Sequence, residues 1–182
     1  MTTLFLYFAY GSNMLTERLR GRKRCPSARP VGMAVANDYR LYYFKESKDG
    51  SGKATLVKCR GERAYGVLFK VSDKECAALD KAEDCGKGYD RIDDFEVFRD
   101  AEKINARTYL ATKQALDTTL TPYDWYRALV LAGAIQHGLP DSYIETLCKT
   151  AWKSDAAACR PSRLAAFHVL ETAGFGFLVR EG

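Results

Sequence analysis

The stretch from Leu4 to Arg20 constrains this chain more than any other. Leu4-Phe5-Leu6-Tyr7-Phe8-Ala9-Tyr10 is an unbroken apolar and aromatic run, the length and composition of a strand covered on both faces. It stops at Gly11, which permits a sharp exit from the strand and lets a ligand approach the main chain closely. Ser12 and Asn13 suit an N-cap, and Met14 to Arg20 reads as a short helix with an acidic residue ahead of its basic end. A strand, a glycine turn and a helix start in succession gather unpaired N–H groups on one side, and such a turn favours an anion or a carbonyl oxygen under attack. The same pattern also describes an ordinary strand-turn-helix corner, so residues further along the chain must decide between the two.

The next hundred residues read mainly as strands. Ala28 to Phe44 is rich in Val, Tyr and Leu, and Lys45 to Lys53, with Gly50-Ser51-Gly52, is a polar connection. Ala54 to Cys59 and Ala64 to Val71 read as two strands joined in a hairpin around Arg60-Gly61-Glu62-Arg63. Ile92 to Arg99 and Ile104 to Ala111 add two more, giving about six strands before residue 112, enough to close a small barrel around a pocket. From Ser72 the period changes to that of a helix, with Cys76, Leu79 and Ala82 or Glu83 on one face and Lys74 and Lys81 facing water. On that spacing Glu83 points inward, where desolvation would raise its pKa and prepare it for proton exchange. The plainer alternative is a frayed helix end with Glu83 paired to Lys81 or Lys87.

The final third is helical. Thr121-Pro122 is a start signal, with Trp125, Leu129, Ala132 and Ile135 on one face as far as Gly138, and Leu139-Pro140 opens a second helix striped by Tyr143, Leu147 and Ala151.

Three separated landmarks carry a resemblance. Tyr10-Gly11-Ser12-Asn13 at the end of the first strand resembles the YGSN motif of the gamma-glutamylcyclotransferase family, and Leu79-Asp80-Lys81-Ala82-Glu83 resembles its LDxxE sequence. Tyr126 to Tyr143, with its GA, GLP and following tyrosine, is similar to the family's helical pair. The resemblance covers residues 4 to 152 in order. It implies an α+β fold, a small closed mixed β-barrel with flanking helices, as a single domain over residues 1–182. By the same resemblance Glu83 is the catalytic acid/base and Tyr126 matches a tyrosine that contacts substrate; the reaction this implies would use the N–H groups of the turn Tyr10, Gly11, Ser12 and Asn13 to hold the substrate, with Tyr7 as a wall of its pocket. Tyr89, in Gly88-Tyr89-Asp90-Arg91, reads as a pocket wall or as a plain aromatic core residue. Asp84 stands where relatives usually carry glycine, which bears on the loop's geometry and on substrate preference. Cys159 to Gly182 has no counterpart and reads as a C-terminal extension.

Composition removes several other classes. The net charge of +5 on 182 residues is too small for a nucleic-acid footprint, and its densest run, Arg20-Gly21-Arg22-Lys23-Arg24, reads as a solvated turn. Six irregularly spaced cysteines with two histidines indicate neither a zinc site nor a disulfide scaffold, though Cys85, beside Glu83, is a candidate reactive thiol. His137 and His168 lack the context of a protease triad. No apolar segment is long enough to span a membrane and the first residues lack a signal-peptide start, so a cytoplasmic home is expected. One inward carboxylate and one backbone anion site suit an intramolecular acyl transfer; the resemblance implies a small gamma-glutamyl substrate cyclised to 5-oxoproline, within glutathione metabolism and with no cofactor, with another gamma-glutamyl donor or ligand binding without turnover as the alternatives. Neither nucleic acid nor membrane is an expected partner, and a homodimer is left open.

Overall fold

The structure, a computed structural model, describes residues 3–179. Its centre is β1, Leu4–Ala9, whose residues Tyr7, Phe8 and Ala9 are buried. β1 pairs antiparallel with β3, Gly52–Ser72, from Leu4 opposite Ser72 to Ala9 opposite Val67. On its other side it meets β5, Glu102–Ala111, in parallel, with Tyr7 opposite Arg107. β2, Arg29–Glu46, pairs with β3, and β4, Tyr89–Arg99, pairs with β5 and touches β2 at Val35 and Phe98. The strand order β1-β3-β2-β4-β5 therefore closes on itself in a ring, and helices flank it. This is the α+β architecture that the sequence implies.

The ring has five strands rather than about six. The expected hairpin at Arg60-Gly61-Glu62-Arg63 is absent, and β3 runs straight through it. Asn37 pairs with Arg63 and Tyr39 with Lys58, so Cys59, Arg60, Gly61 and Glu62 stand opposite Asp38 alone. This is an enlarged bulge of four residues against one, held by the Gly61 N–H donating to Asp38 Oδ1 at 2.7 Å. Glycine marks a kink within one strand instead of a turn between two, because each half pairs with β2 and not with the other half. Such irregularities let strands of 18 and 21 residues bend around a small ring.

The helices differ in detail from the sequence pattern. The expected helix from Met14 to Arg20 is a 3-10 turn, Ser12–Met14, followed by a single turn α1, Thr16–Leu19, with no side-chain cap. α2, Cys76–Ala82, buries Leu79, and Lys74 and Lys81 are exposed as expected. α3 spans Asp124–Gln136 and starts later than Thr121-Pro122 suggested. The reason is that Thr121 O accepts from Gly52 N at 2.9 Å and Pro122 O from Lys153 N at 3.0 Å, which keeps that segment extended. Buried nearly all round, α3 packs Trp125, Leu129 and Ala132 inward but leaves Ile135 38% exposed. A methyl on its Gly133 would stand 2.5 Å from Met14 Cβ, so this helix presses directly on the turn after β1. α4, Asp141–Cys148, buries Leu147, whereas Ala151 falls beyond its end and is exposed.

The C-terminal segment forms α5, Pro161–Thr172, which buries Ala166 and Leu170 and packs on α3. Its proline at the first turn was an available start signal. Residues 180–182 of that segment lie outside the described residues. No helix among the described residues is long and apolar enough to cross a membrane.

Candidate active site

The exit of β1 and the end of α2 meet inside the ring. Glu83 is the C-cap of α2, so the chain turns away there and its side chain is thrown towards the turn at Ser12–Met14. Its side chain is 17% exposed. Glu83 Oε1 accepts from Asn13 Nδ2 at 2.8 Å and from Arg24 Nη1 at 3.2 Å. Neither Lys81 nor Lys87 pairs with it, which disposes of the frayed-end alternative. Asn13 is buried and does not cap a helix; its amide donates also to the Tyr7 hydroxyl at 3.1 Å and its Oδ1 accepts from Arg24 at 3.2 Å. One amide thus fixes a phenol, a carboxylate and a guanidinium relative to one another.

All eight residues singled out from the sequence, Tyr7, Tyr10, Gly11, Ser12, Asn13, Glu83, Tyr89 and Tyr126, line one cavity together with Ala54 and Tyr109. Gly11 is there for space rather than for its backbone angles. Its φ is −111°, open to any residue, but a Cβ would stand 2.9 Å from Ala54 Cβ. Ala54 is in turn pinned by two phenols: its N–H donates to Tyr126 at 3.2 Å and its carbonyl accepts from Tyr89 at 2.7 Å. Tyr10 donates to the Tyr109 carbonyl, and Tyr109 donates to Asp80 Oδ1 at 2.7 Å. Asp80, the aspartate of the LDxxE sequence, also holds Arg91 at 2.7 Å, so it braces the wall rather than facing the cavity. Burial holds the phenols of Tyr7, Tyr10 and Tyr89 well above their ordinary range, and Tyr126 is raised for the same first cause. They are neutral hydrogen-bonding groups at physiological pH, and Glu83 is the carboxylate among them.

The cavity is narrow, about 30 Å³, or room for about two water molecules. Five tyrosines, Tyr7, Tyr10, Tyr89, Tyr109 and Tyr126, make up most of its wall. The first N–H groups of the turn, on Ser12 and Asn13, precede the first backbone bond, from Met14 N to Gly11 O at 2.9 Å.

Two cations at the site were not legible as such. Arg24 belongs to the run that reads as a solvated turn; Arg20, Arg22 and Lys23 are exposed, but Arg24 turns inward ahead of the buried Cys25. Arg18 donates from Nε to Ser12 Oγ at 3.0 Å. Burial, and next the neighbouring Arg24 cation, push Arg18 down to about 10, still charged at neutral pH. The only sequence signal was their nearness in the chain to Asn13. Cys85 and His137 stand outside the cavity. His137 bonds Thr16 Oγ1 at 3.0 Å, and burial lowers its pKa. Asp84, in place of the usual glycine, has φ +52°, a left-handed conformation that aspartate tolerates better than most residues.

Residues 7–128 match the family described as gamma-glutamyl cyclotransferase, AIG2-like. A gamma-glutamylcyclotransferase of Mus musculus is 33% identical over 150 residues, 79% of this chain and 77% of the mouse protein. The Homo sapiens gamma-glutamylcyclotransferase is 32% identical over 149 residues, with the same coverage of each chain. A solved structure named gamma-glutamyl cyclotransferase superposes with a TM-score of 0.81 at 28% identity, covering 91% of this chain and 99% of that one. With its ring of strands, its paired turn and carboxylate, and these relatives, the chain belongs to the gamma-glutamyl cyclotransferase, AIG2-like family.

Proposed function

We propose that the protein is a gamma-glutamylcyclotransferase that converts a gamma-glutamyl amino acid or dipeptide to 5-oxoproline and the free amine. The observation that carries this reading is the Glu83 carboxylate held 2.8 Å from the Asn13 amide at the exit of β1. In this reaction the substrate's own α-amine attacks its γ-carbonyl carbon, so no nucleophile from the protein is required. That amine arrives as an ammonium group. Glu83 takes a proton from it, the N–C bond of the ring forms, and Glu83 returns the proton to the departing nitrogen as the original amide bond breaks; the ring nitrogen's second surplus proton follows the same way, so the amine departs as an ammonium group. Turn N–H groups at Ser12 and Asn13 would hold the substrate carboxylate or the developing oxyanion, each well-placed donor being worth roughly 3 kcal/mol. Tyr7 and Tyr126 would wall the glutamyl chain into a ring-like pose, adding an orientation advantage.

Asn13 and Arg24 both bond Glu83 through Oε1, which leaves Oε2 as the oxygen that would meet the substrate ammonium group. Incubating the protein with gamma-glutamyl-alanine and detecting 5-oxoproline by mass tests the reading. Release of equimolar 5-oxoproline and alanine is expected, and intact substrate with no product from a panel of gamma-glutamyl peptides and amines would overturn it.

A further inference from the structure

The two phenols that pin Ala54 are themselves covered. Tyr126 and Tyr89 reach it from α3 and β4, and each ring lies beneath a lysine of the β2–β3 pair. Lys53 Nζ stands 4.7 Å from the Tyr126 ring centre and 4.7 Å from that of Trp125, and Lys45 Nζ stands 5.1 Å from the Tyr89 ring centre. The two lysines are partners across the ladder, Lys45 opposite Lys53. Like charges so placed are destabilising, and burial, as the first cause, lowers the pKa of each ammonium group. Lys53 donates to Asp49 Oδ2 at 2.8 Å and to Ser51 Oγ at 2.7 Å, while Asp84 is the carboxylate that acts most strongly on Lys45. The fold carries that cost at two positions whose ring partners, Tyr89 and Tyr126, both line the catalytic cavity.

The surroundings hold the lysines in place. In the turn between the two strands the Gly50 N–H donates to the Ser47 carbonyl at 2.8 Å. The Tyr123 hydroxyl on the Asp49 carbonyl at 3.0 Å and Lys153 Nζ on the Gly50 carbonyl at 2.8 Å tie that turn to the body of the protein. Gly88 makes room for Lys45, since a Cβ there would stand 2.7 Å from its Nζ. Both lysines stand outside the catalytic cavity, so each acts through the tyrosine beneath it. We propose that Lys45 and Lys53 are positioning residues for the cyclotransfer site, a clasp whose ammonium groups seat Tyr89 and Tyr126 against Ala54. This rests on the cyclotransfer reading and adds to it the device that fixes two of the cavity's tyrosine walls.

The test reads one amide and one rate. Ala54 falls at the register shift between the Tyr42–Thr55 and Lys45–Lys53 pairs, so its N–H reports on the Tyr126 hydroxyl rather than on the ladder. In Lys53→Met the hydrogen-exchange protection of the Ala54 amide is expected to fall about tenfold, while the amides of Val67 and Phe69, where β3 pairs with β1, keep theirs. The kcat/KM for 5-oxoproline release from gamma-glutamyl-alanine should fall about five- to tenfold in Lys53→Met and in Lys45→Met, the scale of a partly desolvated cation on an aromatic face. Lys53→Arg, which keeps the charge, should recover most of both. Protection lost uniformly along β3 or not at all, or a kcat/KM unchanged in both methionine variants, overturns the clasp while cyclotransfer stands. Should Lys53→Met not fold, Lys53→Gln, which can still bond Asp49 and Ser51, takes its place, and failure of both makes the lysine structural and overturns the clasp. No 5-oxoproline from the wild type with any gamma-glutamyl donor overturns cyclotransfer and the clasp with it.

Discussion

Asn13 is the residue on which the site's geometry converges, because one side chain reaches Tyr7, Glu83 and Arg24. Replacing it with alanine removes the donor that fixes the Glu83 carboxylate and leaves the Tyr7 hydroxyl and the guanidinium without their shared partner. Asn13→Ala is expected to lower kcat by roughly 10- to 100-fold, the scale on which misplacing a catalytic group by about 1 Å acts. The KM should change much less, since the turn N–H groups remain. Steady-state kinetics on gamma-glutamyl-alanine separates the two parameters, and a rise in KM with unchanged kcat would make Asn13 a binding group only. Cys25 sits behind this site with its thiol pushed up to about 12 by burial, first of all, and by the Glu75 carboxylate, so it takes no part as a thiolate.

Among the elements, α5 depends on one carboxylate. Asp155 accepts from Trp125 Nε1 at 3.0 Å, from the Ala157 N–H at 3.0 Å and from Arg160 at 2.6 and 3.1 Å, and its side chain is 1% exposed. It thereby ties the start of α5 to α3. The Arg160 guanidinium, as the largest cause, holds Asp155 down to about 2, below the ordinary carboxylate value of about 3.9. The stability this gives is fully present above about pH 4 and is lost as pH falls through about 2. Asp155→Asn is expected to lower stability at pH 7, because it weakens the charge-assisted bonds that Arg160, the Trp125 indole and the Ala157 N–H make to one carboxylate. Urea unfolding of both proteins at several pH values checks this: the difference should shrink between pH 4 and pH 2, and a difference independent of pH would contradict the assignment.

At the scale of the whole molecule, the features legible in the sequence were local ones. β1 and its turn were readable because an apolar run ended at one glycine, and Glu83 because helical spacing put it on the face of Leu79. Those are properties of adjacent residues. The joining of Glu83 to Asn13, 70 positions away, needed the motif resemblance, since no periodicity relates two segments that meet only when the ring closes. Arg18 and Arg24 looked like surface cations for the same reason. The hairpin expected at Gly61 failed because a glycine signal does not distinguish a turn from a bulge until the pairing strand is known. α5 is not legible from its pattern because only Ala166 and Leu170 of its twelve residues are buried, too faint a stripe to stand out beside exposed Leu164.

Glu83 is the group assigned to move the proton, and Glu83→Gln tests that assignment most directly. The amide keeps the shape of the side chain but cannot accept the ammonium proton. The kcat for 5-oxoproline release from gamma-glutamyl-alanine is expected to fall by roughly 100-fold or more while the variant's unfolding midpoint stays close to that of the wild type. Turnover at a near-normal rate in that variant would contradict the role given to Glu83.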